Sequence, residues 1–139
     1  EAKANGQRVK SFVAEHWTLE YALSHAGLAR EVYIAAKQAI KDASNVPAAK
    51  ELPEVKSDAE SHYDGTISQL ATKELIASTV YSEFTSGTRA SKAIAAQYLA
   101  EILENEFQGE PDRLKARLPE YLVQAIEYVT EPLTNPNGD

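Results

Sequence analysis

Cysteine and methionine are both absent from this 139-residue chain, and glycine and proline occur only six times each. Without cysteine the chain holds no disulfide, thiolate metal site, cysteine nucleophile or thiol redox switch. Without methionine the initiator is not among these residues, so a trimmed chain and a mature exported chain are both expected readings of the start at Glu1. Long apolar runs are missing as well: no stretch nears the roughly 20 residues that a membrane-spanning helix requires, and no signal-peptide core is seen. The cytoplasm is the default compartment, although the lack of cysteine does not fix it.

Positive charge is scarce in one part of the chain. Residues 1–50 hold seven Lys/Arg against five Asp/Glu, a balance of +2, whereas residues 51–139 hold seven against sixteen, a balance of −9. An acidic surface repels phosphate, so the second part is not expected to bind nucleic acid, and the first part alone leaves that option open. Hydrophobic residues make up 43% and charged residues 25%, the proportions of a globular chain, and the length suits a single domain spanning 1–139.

Strand signals are poor, because β-branched residues do not alternate with polar ones over any useful length. Good helix formers dominate, and glycine and proline fall mostly between periodic segments. These features predict an all-α fold, a compact bundle of five helices with no sheet, or six if Pro119 divides the last. The first helix is expected over 7–24, with Val9, Phe12, Val13, Trp17 and Leu23 on one face. The second is expected over 28–43, where Leu28, Val32, Ala35, Ala36 and Ala39 form a narrow small-residue stripe that suits a central helix. Residues 44–57, with Pro47 and Pro53, read as the irregular connection. Ser57-Asp58-Ala59-Glu60 reads as a capping box opening a third helix that runs to Ser86-Gly87, with a break at Gly65. Thr88 is expected to cap the fourth. Gly109 and Pro111 separate it from a fifth with the stripe Leu114, Leu118, Leu122, Ile126 and Val129, and residues 134–139 form a frayed tail.

The stretch EHWTLEYALSHAGLAREVY carries the sharpest alternative. Two helices meeting at Gly27 resemble the outline of a helix-turn-helix over 18–43, in which Arg30, Lys37, Gln38 and Lys41 would reach phosphates or base edges. Glu31, beside Arg30, and the mild local charge weigh against it. His16 and Glu20 lie four residues apart and project onto the apolar face, which predicts a buried polar pair. Glu74 projects the same way, so Glu20 and Glu74 would line a small polar cavity if their helices pack together. Neither metal nor cofactor is expected: no histidine follows a glutamate at the bundle-site spacing, and the acids around His62 in DAESHYDG lack a calcium-loop pattern. No phosphate loop or nucleophile elbow occurs.

The acidic cluster Glu101, Glu104, Glu106, Glu110 and Asp112 reads as a docking patch for a basic protein partner. Seven tyrosines suit half-buried interface positions. The function expected from sequence is therefore a non-catalytic interaction or regulatory module, with the helix-turn-helix as alternative and a metal- or small-ligand-binding bundle third. Self-association stays open.

Overall fold

Alanine-rich stretches with 3.6-residue periodicity build the molecule, and a computed structural model describes residues 9–44 and 50–132 of it. Seven α-helices occur among them: α1 (Leu19–Leu23), α2 (Ala29–Asp42), α3 (Leu52–Gly65), α4 (Lys73–Ser82), α5 (Lys92–Phe107), α6 (Pro111–Lys115) and α7 (Glu120–Thr130). A π-helical turn, Ser24–Leu28, joins α1 to α2, and a short 3-10 turn, Ile67–Gln69, lies between α3 and α4. Counting the kinked run from Leu19 to Asp42 as one gives six helices, with no strand among the described residues. The all-α architecture is that expected from the sequence.

The small-residue stripe makes α2 the central helix. Ala35, Ala36 and Ala39 are essentially inaccessible, and α3 and α5 pack along its two sides. Short side chains permit this close approach, while Leu28, Val32 and Ile34 supply the apolar bulk. Val80 and Phe84 close the core from the α4 side, and Phe107 closes it at the end of α5.

Three boundaries differ from the sequence reading. The first helix does not span 7–24: residues 9–18 are non-helical, and α1 begins after Thr18, whose hydroxyl oxygen accepts the Tyr21 N–H at 3.3 Å. From Ser11 to Glu20 burial alternates residue by residue, with Phe12, Ala14, His16 and Thr18 turned inward and Val13, Glu15 and Trp17 outward. β-branched and aromatic residues hold a helix weakly, so contacts with the body decide the segment's form. Next, α3 starts at Leu52, and the 57–60 sequence lies inside it. Pro53 sits in the first turn, where its fixed φ and missing N–H cost nothing, so it opens a helix rather than breaking one. Residues 45–49 of the expected connection and 134–139 of the expected tail lie outside the described residues. The break expected at Gly65 does divide the third helix into α3 and α4, with Thr72 as the cap of α4. Finally, Ser91, not Thr88, caps α5 by accepting the Ile94 N–H at 3.4 Å. Pro119 does divide the last segment into α6 and α7.

Within the EHWTLEYALSHAGLAREVY stretch the chain kinks at Gly27. Its φ of 140° lies in a region that side-chain-bearing residues rarely adopt, and the π-turn around it re-aims α2 relative to α1.

Candidate functional site

The non-helical segment before α1 carries the three most exposed large hydrophobic residues among those described, Val9, Val13 and Trp17. Phe12 anchors it against the Tyr128 ring of α7 at 5.7 Å, with the Lys10 ammonium 5.0 Å from the Phe12 ring centre. His16 turns inward, its ring 5.0 Å from Tyr21 and 4.8 Å from His25. Between these anchors Val13 points out at 81% exposure, and Trp17, the chain's single tryptophan, is wholly exposed.

Two hollows flank His16. One, of about 330 Å³, is walled by His16, Trp17, Thr18, Tyr21 and Tyr81. The other, of about 370 Å³, lies toward the α6–α7 turn and is lined by residues that include Val13, His25, Pro119, Tyr121 and Gln124. The first is mostly aromatic, whereas the second mixes polar and apolar walls.

His16 and Glu20 do not form the expected pair. Because residues 9–18 are non-helical, the four-residue spacing no longer places them on one helical face. Glu20 instead accepts a hydrogen bond from Lys92 of α5 at 3.0 Å, and the Lys92 ammonium also lies 5.6 Å from the Tyr81 ring centre. Nor do Glu20 and Glu74 line a common cavity. Glu74 contacts His25 Nε2 at 3.1 Å, a bond that holds its carboxyl below the usual range. Among the described residues no group of three or more potential ligands is disposed to hold a metal ion.

Two of the four residues of the helix-turn-helix alternative are engaged inside the molecule. Arg30 grips Asp64 of α3 with two hydrogen bonds, at 2.9 and 3.1 Å, and approaches Glu60. Lys37 donates to Glu83 at 2.8 Å and lies over the Tyr33 ring. Gln38 is buried with its Oε1 unpartnered, and Lys41 is half-buried. The central position of α2 turns the would-be reading helix into the core.

The acidic cluster is divided by the fold. Glu101, Glu104 and Asp112 are exposed, but Glu106 is half-buried and faces Arg113 and Arg117 at 3.7 and 3.6 Å. Glu110 contacts Arg113 at 2.9 Å. Two of the five carboxylates thus serve arginines of their own chain, and three are exposed. Exposed salt bridges contribute little stability, so the exposed members act mainly through long-range field.

The sequence reading missed the role of Glu31. It is 2% exposed, and its Oε1 accepts a hydrogen bond from Arg117 Nη1 at 3.2 Å. Burial pushes its carboxyl above the ordinary range, and the neighbouring Glu106 adds to the rise while Arg117 opposes it. The signal was present: Leu28, Glu31, Ala35 and Gln38 follow the three- and four-residue spacing of one helical face. A glutamate on the face of a buried leucine needs a cation or a proton to offset its burial, and Arg117 lies within hydrogen-bond reach.

Family models, curated proteins and solved structures offer no match to this chain.

Proposed function

We propose that this domain is a non-catalytic interaction module that receives a cationic protein partner bearing an apolar side chain. The contact centres on Trp17, with Val13 beside it and the aromatic hollow behind. The observation that carries this reading is the complete exposure of the only tryptophan at the mouth of a hollow walled by Tyr21, Tyr81 and His16. Large apolar groups left in water mark contact surfaces, and tryptophan and tyrosine dominate the energy of protein interfaces. The net charge of −7, concentrated after residue 50, favours a positively charged partner by long-range attraction. Glu101, Glu104 and Asp112 belong to that steering field, and the aromatic surface takes the role of the docking patch.

Among the described residues the walls of the hollow hold no carboxylate, and beyond them Glu20 is matched to Lys92 and Glu74 to His25, which suits a binding surface better than proton-transfer chemistry. The test compares capture by the immobilised wild-type chain and by Trp17→Ala from a native extract. A protein retained by wild type, released by salt and lost with Trp17→Ala supports the reading, and the purified protein should then shift Trp17 emission to the blue. Equal retention of the same proteins by both chains, with equal salt dependence, overturns it.

A further inference from the structure

A second group of charges lies away from the hollow walled by Trp17, contributed by α2, α5, α6 and the turn after α6. Arg117 Nη1 is shared by two carboxylates, standing 3.2 Å from Glu31 Oε1 and 3.6 Å from Glu106 Oε1. Arg113 spans Glu106 and Glu110 and donates to the Glu106 carbonyl at 3.3 Å. Both guanidinium groups lie over the buried Phe107 ring, at 4.6 and 5.5 Å from its centre. From α3, Tyr63 faces the same point: burial pushes its phenol up, and the charge of Glu31 adds to the rise. Arg30, next in the chain to Glu31, is committed to Asp64 and Glu60 on α3.

Three carboxyl groups, Glu31, Glu106 and Glu110, therefore face two guanidinium groups, Arg113 and Arg117. If all are ionised, one negative charge is left over, and the group least able to bear it is Glu31. Its Oε2 is buried with no hydrogen-bond donor. Two ionised carboxylates cannot satisfy each other, since both only accept, but a single proton between them turns one into a donor. That proton removes the excess charge from a cluster in which Arg117 Nη1 already serves both carboxyls.

We propose that Glu31 and Glu106 share one proton in the folded protein, making an acid-tightened latch that clasps the α6–α7 turn to α2. The latch closes on a tight contact, because Arg117 packs directly on Gly27, where an added Cβ would meet the Arg117 Cβ at 3.4 Å. The turn it holds continues into Leu118, Pro119, Tyr121 and Gln124, which line the second hollow. Loss of the proton leaves three carboxylates facing two guanidinium groups, with the buried Glu31 among them, and loosens this wall. The sign follows from linkage. A carboxyl whose folded pKa is raised contributes stability that is fully present below its unfolded pKa and lost as pH rises through its folded pKa.

Carbon-detected NMR titration of the glutamate side chains, with urea unfolding across the same pH range, tests the latch. In the wild type, Glu31 should titrate above the chain's exposed glutamates, and the amides of Leu118 and Glu120 should shift with the same midpoint. Glu106→Gln should move the Glu31 midpoint down, and Glu31→Gln, of nearly equal volume, should remove the fall in unfolding midpoint on the alkaline side. Titration of Glu31 with the exposed glutamates, or a Glu31 midpoint unmoved by Glu106→Gln, overturns the proposal. Should Glu31→Gln not fold, the Glu106→Gln titration decides alone.

Discussion

Replacing Gly27 by alanine probes the joint on which the first half of the fold turns. Its φ of 140° is a conformation that L side chains rarely adopt, so alanine must hold a strained backbone or move the π-turn. Such strain costs about 1–3 kcal/mol. Space is not the obstacle, because the new Cβ would meet Arg117 Cβ at 3.4 Å and Arg117 Cα at 3.5 Å, close to ordinary contact. Alanine also stiffens the unfolded chain, an effect of about 0.4–1 kcal/mol in the other direction. The expected net loss is on the order of 1–2 kcal/mol, a large share of the 5–15 kcal/mol typical of a domain. Gly65→Ala is the internal control: its φ is not positive and nothing lies within 4 Å, so it should be neutral or stabilising. Urea unfolding followed by far-ultraviolet circular dichroism gives both values, with equal slopes expected for the two variants. If Gly27→Ala unfolds at the wild-type midpoint, the kink does not depend on glycine and the account of this joint is wrong.

Other outcomes follow from the same geometry. Ile34→Ala, at a site 1% exposed, should lose about 2–5 kcal/mol in urea unfolding. Val129→Ala, 75% exposed on α7, should change stability by no more than about 0.5 kcal/mol. Hydrogen bonding from Arg30 holds the Asp64 carboxyl below its usual range, so this pair contributes stability above the unfolded pKa and loses it as pH falls through the folded one. Asp64→Asn should therefore flatten the acid limb of the stability profile and leave the alkaline limb as it was. Trp17 should emit at the wavelength of a fully hydrated indole and be quenched by iodide as readily as a free tryptophan derivative. A blue-shifted, protected emission from the isolated chain would show that Trp17 is covered.

How far the sequence carried can be judged at particular residues. The stripe Leu28, Val32, Ala35, Ala36, Ala39 marked α2 as central, because buried positions recur every three or four residues whatever packs on them. Pro119 and Gly65 were legible as breaks for equally local reasons, as was the conformational freedom that Gly27 uses. Pro53 was misread, since proline opens a helix as readily as it ends one, and the choice rests on residues that follow. The apolar face drawn from Val9 to Trp17 was lost because helical periodicity alone cannot make a helix without a wall to bury it against. With it went the pairing of His16 and Glu20.

The sequence by itself determined the all-α class, the central helix and the uneven distribution of charge, for these follow from propensity, periodicity and composition. Only the tertiary structure decided which charges would meet. Glu31 and Arg117 are 86 residues apart, Glu20 and Lys92 72, and no local rule pairs partners at such distance. Tertiary structure also decided that Trp17 stands in water, since exposure depends on what the rest of the chain leaves uncovered.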